Sequence, residues 1–300
     1  FILFCLFTLT IIYAGVRNGI ERVSKFMMPI LIVLSVLIAV YSVTRPGAME
    51  GVKYFLVPNV KNFSWMTVVA AMGQMFYSLS IAMGILITFG SYMKKETSLE
   101  DSTRNVEVFD TAIAIMAGLM IIPAVFSFSG GDPDTLQAGP ALMFITIPKV
   151  FENMGFGTVV GILFFLLVLF AAVTSSIALT ESAVSTFEDE LGWSRRRATV
   201  LVGVIMIALG SLSSLGYGPL AGIKIIGMQF LDFFDFLTNS VMMPIAAMLT
   251  SLFVSRIVGM KRMEEEIMHG ESTFRRKKIF IVMIKYLCPV FALIILISSV

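Results

Sequence analysis

Apolar residues fall in long blocks along this chain, separated by short polar stretches. A helix that crosses a bilayer takes about 20 mostly apolar residues. Eight blocks meet or approach that length, at about 1–16, 24–43, 66–92, 106–128, 157–187, 197–215, 221–254 and 278–300. The pattern predicts an all-α, polytopic membrane protein: a single transmembrane domain over 1–300 with eight spans.

The polar stretches between the blocks orient them. Lys and Arg counted in alternate loops divide sixteen to five, and Lys285 stands alone inside the last block. The richer set holds Arg17, Arg22 and Lys25, then Lys94, Lys95 and Arg104, then Arg195 to Arg197, then the cations from Arg256 to Lys278. Positive loops face the cytoplasm, so Phe1 is expected on the outer side. With a cytoplasmic true N-terminus, an odd number of spans would precede it, and the chain reads as a piece of a longer protein. Phe1 follows neither an initiator Met nor a basic segment, so the first block is not a signal peptide.

Composition agrees with a lipid solvent. The chain is 57% hydrophobic and 14% charged, with mean hydropathy +0.92, where soluble domains carry about 25% charged residues. A net charge of +2 gives no reason to expect nucleic acid. Cys5 and Cys288 lie in apolar blocks and His269 is the only histidine, so neither a disulfide framework nor a zinc motif can be built.

The outer loop 129–156 is unlike the rest. A turn cluster at 129–134 precedes the short, proline-bounded apolar stretch Pro140–Pro148. Irregular backbone at membrane depth must be buried in protein or face water, so a re-entrant or lid-like hairpin is expected, with a plain surface loop as the alternative.

Polar groups and helix breaks inside hydrocarbon are costly and mark candidate sites. The run Gly73–Gly84 places two glycines and two serines near the middle of a block of about 27 residues. An interrupted helix there would free carbonyls and amides for an ion and a zwitterion; close packing through small residues is the other reading. Ala171, Thr174 and Ser175 share one helix face. Their carbonyl and hydroxyl oxygens are hard ligands suited to an alkali cation, unless the hydroxyls bond back to the preceding turn. Asp110 is the third candidate. Thr97-Ser98-Leu99-Glu100-Asp101 resembles a capped helix start, which would set Asp110 about 15 Å along the axis; a start near Asn105 would instead leave it at the cytoplasmic interface. Asp232 and Asp235, one turn apart, are candidate gate carboxylates, and Glu188-Asp189-Glu190 before Arg195-Arg196-Arg197 reads as a solvated loop with local pairing.

These segments together resemble the neurotransmitter:sodium symporter family, especially its bacterial amino-acid transporters. Gly15–Pro29 is similar to the family's link between its fourth and fifth spans, Gly73–Gly84 to its unwound sixth span, Thr174–Leu191 to its eighth, and Asp232–Asp235 to its tenth. The family's first three spans would then be absent, and the fragment alone is expected neither to bind nor to transport.

The resemblance implies a LeuT-like five-plus-five inverted-repeat fold, alternating access, two sodium sites, Na⁺ as coupling ion and no other cofactor, in a bacterial inner membrane. By resemblance, Ala171, Thr174 and Ser175 match one sodium site, and Ser78 and Asp110 match ligands of the other. Asp110 stands where most members carry Asn beside a chloride, so chloride independence is expected; Gln74 lies near the chloride position. Tyr77, Ser78, Ser80, Met83, Ser175 and Leu179 match the substrate pocket and suit a neutral, hydrophobic amino acid. Asp235 matches the outer gate and Asp189 the inner one. A proton-coupled carrier of the same architecture and a non-transporting amino-acid sensor are the alternatives. No catalytic motif points to an enzyme. The oligomeric state is not implied.

Overall fold

A computed structural model describes residues 1–130, 132, 139–270 and 273–299, with Asn62 and Gly270 described through their backbone alone. Among the described residues the chain is almost entirely helical, and the only β-pairing is an isolated bridge between Ile225 and Met228. In chain order the helices are α1 (Ile2–Tyr13), α2 (Val16–Val43), α3 (Ala48–Leu56), α4 (Trp65–Ser78), α5 (Ile85–Ser91), α6 (Leu99–Ser129), α7 (139–152), α8 (Gly157–Leu191), α9 (Arg195–Gly216), α10 (Phe230–Ile267) and α11 (Lys277–Ser299).

Six of them, α2, α6, α8, α9, α10 and α11, are long and apolar enough to cross a membrane. The blocks 1–16 and 66–92 differ for local reasons. α1 has only 12 residues. Block 66–92 is divided into α4 and α5 by a stretch that leaves the helical ladder between Ser78 and Ile85. The block expected at 221–254 is displaced: residues around Gly216–Gly227 form turns, and α10 runs from Phe230 to Ile267. Gly218 and Pro219 belong to that turn, with the Gly218 N–H donating to the Leu215 carbonyl at 2.9 Å.

The chain forms two compact units. One comprises Val16–Phe63 and Val108–Ser176. Its core gathers Leu34 and Ile38 of α2, Ala124 and Val125 of α6, Ile147, Val150 and Phe151 of α7, and Phe164 of α8. Gly51 is required here: a Cβ on it would lie 2.8 Å from the Pro123 Cα. Such small residues let helix backbones approach where lipid provides no hydrophobic drive to associate. The apolar stretch 139–152 is helical and sends three buried side chains into this core. Residues 131 and 133–138, which hold half of the expected turn cluster, lie outside the described residues.

The other unit comprises Phe1–Gly15, Ser64–Glu107 and Ile177–Val300. Within it α1 packs along α9, with Leu9 seated over Gly203 and Phe1 over Gly210, two turns apart. α10 packs along α11, and Phe76 of α4 joins Met243, Ala247, Ala292 and Ile295 in their shared core. Large apolar side chains left exposed on these helices, such as Ile257 at 75% and Ile297 at 70%, make a surface suited to acyl chains rather than to water.

Candidate functional site

The interruption between α4 and α5 is built from ordinary capping chemistry. α4 opens on a reciprocal cap, with the Ser64 hydroxyl accepting from the Thr67 N–H and the Thr67 hydroxyl accepting from the Ser64 N–H. Its end is a Schellman closure: the Ile81 N–H donates to the Phe76 carbonyl at 2.9 Å and the Ser80 N–H to the Tyr77 carbonyl at 3.0 Å. That closure sets Ser80 in the left-handed region, at φ 54°, where glycine is the usual residue. Ala82 follows at φ 63° and Gly84, the residue before α5, at φ 77°. Two non-glycine residues in left-handed conformations within three positions cost of order 1–3 kcal/mol each. Strain of this kind persists where surrounding structure holds it.

Ser182 and Ser185 of α8 supply part of that hold. The Ser182 hydroxyl donates to the Met83 carbonyl at 3.4 Å, and Ser185 and Thr88 share a hydroxyl–hydroxyl bond at 3.2 Å. The break is thus tied on its α5 side to the C-terminal half of α8. Neither serine was singled out from the sequence, since hydroxyls in apolar helices ordinarily bond back to their own chain.

A cleft of about 580 Å³ opens beside the break. It brings together Tyr77, Ala82, Met83 and Leu179 with Phe234 and Asp235. Three expected substrate-pocket residues and the expected outer gate carboxylate therefore line one space, apolar along one wall and polar at the Asp235 end. An adjoining cleft of about 430 Å³ is lined by Gln74, Tyr77, Asp235 and Asn239. The Asn239 amide donates to Asp235 Oδ1 at 2.5 Å, orienting the carboxylate from one turn along α10. Asn239, a polar side chain inside an apolar block, carried the signal of an intramembrane polar residue and was not read from the sequence. Ser78 and Ser80 lie partly buried in the break itself.

Further along α8 in the same unit lies a buried charge cluster. Glu181 is 0% exposed, and both its oxygens accept from Arg195, at 2.5 and 3.1 Å. The Tyr92 hydroxyl donates to Glu181 at 2.7 Å, and Arg195 reaches Glu188 at 3.2 Å and the Ile12 carbonyl at 2.8 Å. Bidentate geometry and full use of the guanidinium fork are what make a buried pair tolerable. Residues 188–190 and 195–197, expected as a solvated loop, are the end of α8 and the start of α9; the pairing expected between them is made by Glu188, while Asp189, the expected inner gate residue, is exposed. Glu181 was missed although an ionisable residue within an apolar block is a site signal by itself.

The expected cation ligands Ala171, Thr174 and Ser175 lie on α8 within the other unit, as does Asp110 on α6. The Thr174 hydroxyl donates to the carbonyls of Phe170 and Ala171 at 3.1 and 3.0 Å. The Ala171 carbonyl and the Thr174 hydroxyl thus face the same side, and the back-bond read as the alternative is formed. A donating hydroxyl keeps oxygen lone pairs for a cation. Ser175 is exposed, one residue on. α6 begins at Leu99 with the Ser98 hydroxyl accepting from the Asp101 N–H at 3.0 Å, so the cap stands where the sequence placed it. Asp110 is then eleven residues beyond the helix start and half-buried.

A polytopic helical protein with a broken span beside a partly apolar cleft has the layout of a secondary transporter. Comparison with known proteins makes this specific. The family model described as the sodium:neurotransmitter symporter family matches residues 1–300, and the chain belongs to that family, whose members are transporters rather than enzymes. It is 35% identical over 271 residues to the uncharacterised sodium-dependent transporter YhdH of Bacillus subtilis, covering 90% of this chain and 59% of that protein. It is 32% identical over 299 residues to an uncharacterised sodium-dependent transporter of Haemophilus influenzae, covering 99% of this chain and 64% of the relative. A crystal structure of MhsT in complex with L-phenylalanine superposes with a TM-score of 0.85 at 36% identity, covering 99% of this chain and 67% of that one. The chain thus spans about three fifths of the length of these two curated relatives.

Proposed function

We propose that this chain forms the greater part of a symporter that imports a neutral, hydrophobic amino acid across a bacterial inner membrane, driven by sodium. The observation that carries the reading is the interruption at 78–84, with left-handed Ser80 and Ala82, opening on the cleft lined by Tyr77, Met83 and Leu179. An interrupted span offers backbone groups for an amino acid's charged ends, while the apolar wall suits its side chain. The similarity to a transporter structure that holds L-phenylalanine supports that substrate class.

In this reading Ala171, Thr174 and Ser175 hold one Na⁺ by hard oxygen donors, and Ser78 and Asp110 contribute to a second. The carboxylate of Asp110 supplies negative charge that removes the need for chloride. Ser78, Ser80 and Ser175 border the substrate, Gln74 and Asp235 stand at the outer gate, and Asp189 at the inner one. Eight spans cross the bilayer, the broken α4–α5 pair counting as one, with the lysine- and arginine-rich loops in the cytoplasm and residues 139–152 as an outer cap.

The test is uptake by proteoliposomes containing a protein of the relatives' full length. A sodium gradient is expected to drive accumulation of phenylalanine-like substrates in chloride-free buffer. Accumulation driven equally by a pH gradient without sodium would assign the protein to the proton-coupled class, and binding without flux would make it a sensor.

A further inference from the structure

The last two helices carry more positive charge than the carboxylates around them offset. From Val254 to Ser299 the sequence has eight Lys and Arg against four Glu. Arg276 is engaged by Glu107 at 3.0 Å and Glu100 at 4.0 Å, and Lys277 by Glu264. Among the described residues, no carboxylate pairs with Arg256 or with Lys285, and both are exposed.

The helical stretches that carry these two cations are neighbours in the fold. Arg256 lies in a π-helical stretch of α10, Val254–Gly259, and Lys285 in a π-helical stretch of α11, Met283–Leu287. The two stretches touch, and the Ser251 hydroxyl donates to the Ile284 carbonyl at 2.5 Å just beside them. Wide turns of this type are rare and recur at functional positions. Lys285 lies eight residues into α11, about 12 Å along its axis, with apolar residues from Ile279 to Ile284 before it. A lysine at that depth faces hydrocarbon unless it reaches the interface or meets an anion. The surface around the pair is apolar and open: Phe253 is 51% exposed, Ile257 75%, Val282 47% and Tyr286 64%.

We propose that Arg256 and Lys285 bind the phosphate of an anionic phospholipid in the cytoplasmic leaflet. The lipid's acyl chains lie along the exposed faces of α10 and α11. Basic pockets between helices at the cytoplasmic side are the recognised form of such a site. Arg256 clasps the phosphate oxygens through its planar fork, and Lys285 reaches it as a point charge from deeper in the bilayer. Arg275 and Lys278, exposed at the start of α11, add attraction without a fixed geometry. The inference is independent of substrate and coupling ion and takes only the orientation of the loops from the reading above.

The test is native mass spectrometry of the full-length transporter in mild detergent, with phosphatidylglycerol or phosphatidylcholine added in equal amounts. Phosphatidylglycerol adducts are expected to exceed phosphatidylcholine adducts by at least about tenfold, since each cation near the surface contributes about fivefold. Arg256→Gln with Lys285→Gln should bring the two lipids level, and Arg275→Gln with Lys278→Gln should keep most of the preference. The charge-preserving pair Arg256→Lys with Lys285→Arg folds under milder demands and should retain the excess. No preference in the wild type, or an unchanged preference in Arg256→Gln/Lys285→Gln, would overturn the site. Displacement of the lipid by millimolar inorganic phosphate would also overturn it, by assigning the cations to a free anion.

Discussion

Gly84 is where a single methyl group reports on the helix break. Its φ of +77° lies in the left-handed region, and a Cβ built there falls 2.6 Å from the Ser182 hydroxyl oxygen but 3.9 Å from the Ser182 Cβ. Gly84→Ala therefore meets two separate costs. The left-handed backbone costs an L-residue about 1–2 kcal/mol. Displacing the Ser182 hydroxyl from the Met83 carbonyl, a long bond at 3.4 Å, costs about 0.5–1 kcal/mol more. Ser182→Ala removes the obstructing atom and leaves an ordinary contact, so in that background only the backbone cost of Gly84→Ala remains. The four proteins of this cycle, each of full length, are compared by thermal unfolding in detergent and by sodium-driven uptake. Gly84→Ala should lower the melting midpoint by more when Ser182 is intact than when it is combined with Ser182→Ala, with a coupling of about 0.5–1 kcal/mol. Equal losses in both backgrounds, or no loss at all, would mean that Ser182 does not hold the break in this geometry.

Four further outcomes are expected, two from the geometry of the structure and two from the proposed function. Ser80→Gly should raise the melting midpoint, because glycine relieves a φ of 54° at a cost saving of about 1 kcal/mol; a lower midpoint would show that the Ser80 hydroxyl, not the backbone, dominates there. Glu181→Ala should destabilise by about 1.5–3 kcal/mol by removing the charged partner of Arg195 and Tyr92, whereas Glu181→Gln, which keeps the bond from Tyr92, should cost less; equal losses in chemical or thermal unfolding would refute the bidentate pair. Thr174→Ala with Ser175→Ala should raise the sodium concentration for half-maximal uptake at least about tenfold by removing two hard oxygens, and an unmoved sodium curve would remove that site. Asp110→Asn should make uptake depend on chloride, read by replacing chloride with gluconate; uptake indifferent to both substitution and anion would dismiss the charge compensation.

The parts legible in the sequence were those written in local chemistry. Serines and glycines in the middle of block 66–92 offered the break as one of two readings, beside close packing through small residues, and the structure forms the break. The cap at Ser98 offered one of two starts for α6, the other being near Asn105, and the structure takes the first. What stayed hidden depends on partners far along the chain. Glu181 stands out as an ionisable residue in an apolar block, but its partners Arg195 and Tyr92 lie fourteen and eighty-nine positions away. Ser182 and Ser185 look like back-bonding hydroxyls until Met83 and Thr88 are set against them. α1 has 12 residues and block 66–92 is divided, so counting apolar residues alone does not show where a single long helix stands. The start of α10 was misplaced because Gly222–Ile226 is apolar enough to extend the block yet turns on Ile226 at φ 51° and Gly227 at φ 78°.

The most direct measurement is equilibrium binding of radiolabelled L-phenylalanine to the purified full-length protein, in sodium gluconate and in choline gluconate. If the broken helix gathers a desolvated Na⁺ beside the amino acid, binding saturates in sodium without chloride, disappears in choline, and weakens sharply in Tyr77→Ala. Binding of equal strength with and without sodium would contradict that coupling at its root.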